Sequence, residues 1–250
     1  MYHKECNIIN LAHSNDSRFD HIAAFDPNTI SLLNWNIYKG QRLNWATDLK
    51  LFSNQHDLVT IQEAYLGDEL EGLLNKNNLH WVMNKAFHLR KRASGVMTAS
   101  SVKAILSHGL HQKEPWLRLP KATLISHYPI DGMKDNLLVA NIHGINFSLG
   151  TMVYRKQMEA LYQEIKRHHG PVIVAGDFNS WSSARMRIVN ELVEKLRLGS
   201  VEWGSHHYTT RLFGNAIDHV FYRGLKLLNQ ESWRVSSSDH NPLRVTFHAL

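Results

Sequence analysis

The sequence predicts an α/β protein built in layers, with mixed or antiparallel strand pairing. Two observations carry this. From residue 30 onward many short apolar runs of strand length follow one another, with only a few helical stripes between them. No repeat, low-complexity tract or linker-like stretch divides the 250 residues, so a single domain over residues 30–250 is the simplest organisation. Residues 1–29 show no periodicity and are expected to form a lead-in, disordered in part.

Each element has its own signal. Residues 30–37 read as a strand. Trp45, Leu49 and Phe52 recur at helical spacing behind Asn44, a capping residue type. Residues 57–63 are an apolar run that ends in polar side chains. Leu66, Leu70, Leu73 and Leu74 form the stripe of a short amphipathic helix. Strand candidates then alternate with turns at 81–83, 95–98, 102–106 and 122–125, and 137–143 is a further strand. Tyr154, Met158, Leu161, Tyr162 and Ile165 line one face of a longer helix. After Pro171 a buried strand runs into Gly176, Asp177, Phe178 and Asn179. Ser182 or Ser183 caps a second long helix that turns Val189, Leu192, Val193 and Leu196 inward. A strand over 216–222, a turn at Arg223-Gly224 and a last strand over 243–247, entered through Pro242, complete the chain.

Composition narrows the class. Hydrophobic content of 43% and charged content of 20% are ordinary for a soluble globular protein. The lone Cys6 excludes an internal disulfide and a cysteine-rich metal site. No apolar run has the length of a membrane span. Asn7, Asn10, His13, Ser14, Asn15 and Asp16 interrupt any apolar core of a signal peptide. A cytoplasmic protein, taken as a monomer, is expected. The net charge of +6 favours a phosphate-bearing substrate.

The polar residues are sorted by position. Asn36, Glu63, His143 and Asp177 end apolar runs, whereas Asp218, Asp239 and His240 begin them. If the last two strands run antiparallel to the first four, all seven share one rim. Asp177 and Asn179 face the same way in an extended segment. Hard oxygen ligands suit Mg²⁺, with Glu63 as the best single candidate beside Asn36, Asp239, Asp177 and Asn179. His240 suits activation of a water, Asp218 suits orientation of that ring, and His143 suits donation to a phosphate oxygen. Asp218 and His219 point to opposite faces, so His219 is read as structural.

The motifs Trp35-Asn36-Ile37-Tyr38-Lys39, Gln62-Glu63, Asn141-Ile142-His143, Gly176-Asp177-Phe178-Asn179, Ile217-Asp218-His219 and Ser238-Asp239-His240-Asn241-Pro242 occur in this order. Together they resemble the endonuclease/exonuclease/phosphatase (DNase I-like) superfamily over residues 30–250. Ser94-Gly95-Val96-Met97-Thr98, residues 114–119 and Asn146-Phe147-Ser148-Leu149-Gly150 are similar to a bacterial branch of it. The resemblance implies a four-layer α/β/β/α sandwich of two packed, mostly antiparallel sheets, with Mg²⁺ or Mn²⁺ as cofactor. It implies metal ligation by or beside Asn36, Glu63 and Asp239. Asp177 and Asn179 would then orient the nucleophile and phosphate, His240 with Asp218 would act as base, and His143 would stabilise charge. The histidine form at 143 and the lack of an abasic-pocket motif argue against abasic-site specificity.

A phosphodiesterase acting on DNA or RNA is the leading expectation. Lys85, His88, Arg90, Lys91 and Arg92 form a basic run, and Arg118, Arg155 and Arg211 are further candidates for substrate binding, with Lys121 another positive charge. The alternatives are a phosphatase or phosphodiesterase for a phospholipid or soluble ester, met by exposed Trp116, Trp181 and Trp203, and a non-catalytic binding module that keeps the fold.

Overall fold

The structure, a computed structural model, describes residues 8–10, 24–114, 120–146, 148, 150–204 and 206–250. Its strands are β1 (Ile8–Asn10), β2 (Ile30–Asn36), β3 (Leu58–Tyr65), β4 (His80–Leu89), β5 (Arg92–Ser100), β6 (Leu106–Lys113), β7 (Pro120–Tyr128), β8 (Leu137–His143), β9 (Val172–Asp177), β10 (Gly199–Ser200), β11 (Arg211–Leu212), β12 (Asn215–Ala216), β13 (Asp218–Arg223), β14 (Leu225–Ser232) and β15 (Leu243–Ala249). The α-helices are α1 (Trp45–Ser53), α2 (Asp68–Lys76), α3 (Met152–Ile165) and α4 (Ser183–Leu196). None of the described helices is long and apolar enough to cross a membrane.

A seven-stranded sheet has the order β1-β4-β5-β3-β2-β15-β14. A six-stranded sheet has the order β10-β13-β9-β8-β7-β6, and β11 and β12 form a separate hairpin. Period-two alternation builds the layers. In β2, Ile30 and Leu32 face the other sheet, while Leu33 and Trp35 pack outward with Leu49 of α1 and Leu70 and Leu74 of α2. In β9, Ile173 and Ala175 face the first sheet, and Val172 and Val174 face Tyr154, Met158, Val189 and Leu192 of α3 and α4. The result is the four-layer α/β/β/α sandwich.

β2 and β3 are parallel, as are β8 and β9, while β13 pairs antiparallel with β9 and β15 antiparallel with β2. This is the arrangement that brings strand ends and strand starts to one rim.

Three local expectations are corrected, and one strand is added. Residues 102–106 are not one strand, because the Ser100 hydroxyl accepts from Val102 N at 3.1 Å and turns the chain before β6. β14 lacks an apolar run in the sequence because it is an edge strand with Lys226, Leu228 and Asn229 exposed. Asn44 occupies the position before α1 at φ 66°, but its side chain makes no capping bond. Trp181 and Trp203 are half-buried rather than exposed, and Trp203 packs on the inter-sheet core. Ser182 does cap α4, accepting from Arg185 N at 3.3 Å.

Near the rim the inter-sheet layer becomes polar. Gln62 Nε2 donates to Asn34 Oδ1 at 2.9 Å within its own sheet and to Asn141 Oδ1 at 2.8 Å across the gap. Asn141 Nδ2 donates back to the Met97 carbonyl at 2.8 Å. All three amides are buried. Gln62→Leu would strand Asn141 Oδ1, at about 1–3 kcal/mol, whereas Asn34 Oδ1 keeps the Thr60 hydroxyl at 2.8 Å. The expected result is a loss of about 1–3 kcal/mol in urea unfolding, with non-additive energies in a Gln62/Asn141 double-mutant cycle.

His56 is held neutral. Its Nδ1 lies 2.6 Å from the Phe52 carbonyl, and its Nε2 accepts from Arg244 Nε at 2.8 Å. Burial is the main cause that lowers its pKa to about 4. Above pH ~6.5 the ring is neutral in both folded and unfolded chains. Below that, the unfolded chain takes up a proton that the folded one refuses, so stability declines as pH falls toward 4. Comparing wild type with His56→Gln at pH 7.5 and 4.5 isolates this contribution. The wild type is expected to lose about 2–3 kcal/mol more than the variant on acidification.

Candidate active site

Asn36, His143, Asp177 and Asp218 continue the inward-facing rows of β2, β8, β9 and β13, which explains their convergence. Asn36 Nδ2 donates to Asp177 Oδ2 at 3.1 Å, joining the two sheets. His143 Nε2 lies 3.5 Å from the same oxygen. Asn179, at φ 49°, returns its own N–H to Asp177 Oδ1 at 2.9 Å, and its Nδ2 donates to the Gly144 carbonyl at 3.0 Å. One buried carboxylate is thus the hub of the group.

Glu63 arrives differently. Leu58, Thr60 and Gln62 face the other sheet, so strict alternation would send Glu63 outward. A register shift between Ile61 and Ala64, with φ 51° at Glu63, turns it instead. Its Oε1 comes within 3.9 Å of His143 Nε2, and its Oε2 contacts Lys39 Nζ.

His240 sits on the loop before β15. Trp35 Nε1 donates to its carbonyl at 2.9 Å, Ser238 Oγ donates to the Asn36 carbonyl at 2.7 Å, and Arg42 Nη1 donates to the Ser238 carbonyl at 2.7 Å. The Nδ1 of His240 meets both Asp218 oxygens at 3.0 and 2.8 Å, and its Nε2 faces Asp177 Oδ2 at 3.8 Å. Asp218 thereby fixes the ring and leaves Nε2 for chemistry.

Burial lifts the Asp177 carboxyl to about 6, opposed by the His240 charge. Burial disfavours a charged His240, but Asp218 and Asp177 outweigh it and raise the ring to about 10, so that it is an imidazolium at neutral pH. His143 goes the other way. Burial first, then the charges of Lys121, His240 and Lys39, hold it well below its ordinary value. Its Nε2 lies 2.8 Å from Lys121 Nζ, an ammonium weakened by its own burial.

The seven rim residues are not equivalent. Asp177, Asp218 and His240 have ligand atoms within 4.8 Å of one another, enough to grip a cation. However, Asp218 is already engaged by His240 Nδ1, so a cation there would compete with the imidazole. Glu63 keeps its carboxylate against a cationic group, and Asp239 stays exposed with Ser238 Oγ 3.4 Å away. Few, hard oxygen donors fit Mg²⁺ or Mn²⁺. The structure does not bring Arg155 or Arg211 to this group. Arg155 pairs with Glu191 on the outer helices, and Arg211 Nη1 donates to the Gly214 carbonyl in its hairpin. Arg118 and Trp116 lie outside the described residues. His219 is structural, with Nε2 2.7 Å from Ser180 Oγ and its ring stacked on Phe221.

Lys121 is a site residue that pattern reading did not place here. Ala122 and Leu124 face the first sheet, so alternation assigns Lys121 to the opposite face. Its long flexible stem carries Nζ to His143 all the same. Arg185 is a second one. Almost fully buried, its guanidinium lies 4.7 Å from the Tyr154 ring and 4.5 Å from the Trp181 ring. It donates to the carbonyls of Ile145, Asn146 and Asn179.

A model of the Endonuclease/Exonuclease/phosphatase family matches residues 33–240. A UPF0294 protein of Vibrio parahaemolyticus is 40% identical over 232 residues, covering 92% of this chain and 82% of that one. The human Nocturnin catalytic domain with bound sulfate superposes with a TM-score of 0.67 at 15% identity, over 91% of this chain and 97% of that one. ANGEL2, a 2′,3′-cyclic phosphatase, superposes with a TM-score of 0.64 at 16% identity, over 88% and 95%.

Gly176 allows β9 to pass β8 closely just before Asp177. Its φ is 152°, and a Cβ there would lie 2.0 Å from the Ile142 carbonyl oxygen. Gly176→Ala is expected to cost about 2–4 kcal/mol through overpacking and backbone strain. Calorimetry should show a melting point lower by roughly 5–15 °C.

Proposed function

This chain belongs to the endonuclease/exonuclease/phosphatase family, and from that premise we propose that it is a metal-dependent phosphodiesterase that cleaves nucleic acid with an activated water. Members of the family hydrolyse phosphoesters. The observation that carries the reading is the convergence on Asp177 of the His240–Asp218 pair, His143 and Asn36.

In this reading Asp218 holds His240 Nδ1, and in the neutral form of the ring Nε2 takes the proton from an attacking water, so the rate rises with pH. Asp177 and Asn179 orient that water and the phosphate. Lys121 donates to a phosphate oxygen alongside His143, opposite the developing negative charge. Glu63, with Asn36 and Asp239 beside it, would hold Mg²⁺ or Mn²⁺. A metal bound there supplies Lewis-acid polarisation of a phosphoryl oxygen.

Nucleic acid is favoured by the β4–β5 hairpin, whose His88, Arg90, Lys91 and Arg92 are exposed. A phospholipid ester is a second reading, favoured by Phe213, 80% exposed and 6.0 Å from the Trp181 ring.

The test is hydrolysis of plasmid DNA, RNA, bis-p-nitrophenyl phosphate and sphingomyelin with Mg²⁺ or EDTA. Cleavage of the nucleic acids and loss with EDTA are expected. Asp177→Ala and His240→Ala should each lower kcat by about 10²–10⁴ with an unchanged circular dichroism spectrum. Near-wild-type rates in either variant would show that the reaction occurs elsewhere.

A further inference from the structure

Two β-bulges open a cavity beside the site. The β3 bulge that turns Glu63 inward lies across β5 from a second bulge, between Lys85 and Phe87 of β4. Gly95 pairs with Ala64 on one side and Lys85 on the other. A Cβ at Gly95 would meet the Asn84 carbonyl oxygen at 2.1 Å, so glycine is required between them.

The cavity holds about 200 Å³. Its inner end is formed by Glu63, His143, Lys39 and Lys121. Its other walls include Ala86, Phe87, Val96 and Ala122, with the polar side chains of Ser94 and Asn146. Sites for drug-sized ligands span about 300–1,000 Å³, so this one takes a single ring-sized group. Apolar walls, one aromatic ring and a few polar groups suit a flat heteroaromatic ring with hydrogen-bonding edges. An alkyl chain would leave the polar groups facing hydrocarbon. The basic hairpin that supplies Phe87 also supplies exposed cations for flanking phosphates.

We propose that this cavity is a base-binding subsite, which receives one unpaired nucleobase attached to the phosphate held at Lys121 and His143. It rests on the phosphodiesterase reading and narrows it to single-stranded or terminal nucleotides. A paired base would first have to leave its stack, at a free-energy cost.

The test is calorimetric binding in Ca²⁺ buffer of thymidine 5′-monophosphate, deoxyribose 5-phosphate and octyl phosphate. The wild type is expected to bind thymidine 5′-monophosphate about tenfold or more tighter than deoxyribose 5-phosphate, the scale of one base–aromatic stack. Ala86→Leu, which fills the cavity, and Phe87→Ala, which removes the ring, should each erase that difference. Both should leave deoxyribose 5-phosphate binding within about twofold, since neither touches the phosphate end. Equal binding of the two phosphates by the wild type, binding of neither, or a preference for octyl phosphate would overturn the subsite. A difference that survives both substitutions would do so too. Hydrolysis without any base-dependent gain defeats the subsite alone. Base-dependent binding without hydrolysis of any phosphodiester defeats the phosphodiesterase reading alone.

Discussion

The hydrogen bond from Gln62 to Asn141 is the constraint on which the rest of the site depends. An apolar interface between two sheets is permissive, because slides of an ångström change little buried area. A buried amide pair is not, since an unmet partner costs its full desolvation. Gln62, Asn34 and Asn141 therefore peg the sheets at one relative position. One strand position further along the same rows stand Asn36 and His143, with Asp177 between them. The first sheet contributes Asn36 and Glu63, the second His143, Asp177 and Asp218, and the loop before β15 contributes His240. The distances among them follow from the peg.

The site also solves a charge problem. Asp177 and Asp218 are both buried, and uncompensated carboxylates at that depth would be costly. His240 lies between them, and Lys121 approaches from β7. The same arrangement that makes burial tolerable gives His240 its basicity and keeps His143 neutral. Here stability and chemistry share one cause.

Much of this was legible in the sequence because strands advertise their faces. The rows Ile30, Leu32, Asn34, Asn36 and Leu137, Val139, Asn141, His143 show where apolar residues give way to polar ones, and the motif order identified the sandwich. Edge strand β14 was not legible, since exposed strands need no apolar run. Lys121 was not legible either. Its backbone position belongs to one face and its ammonium to another, and periodicity reports only the backbone. Residue type and motif point to Glu63, while the bulge that turns it toward His143 left no pattern in the letters around it.

Arg185 shows a further limit of reading function from residue patterns. A buried guanidinium ordinarily implies a carboxylate partner, and here the hydrogen-bond acceptors are backbone carbonyls and the Ser148 hydroxyl, with two aromatic faces. Carbonyls exist at every position, so no sequence signal names the ones it binds. Yet these bonds tie Asn179 to Ile145, Asn146 and Ser148, and Asn179 in turn ties Asp177 to Gly144. The side chains that converge on Asp177 are set by residue identity. The layer that aims them works through backbone atoms, so it becomes visible only once the chain is folded.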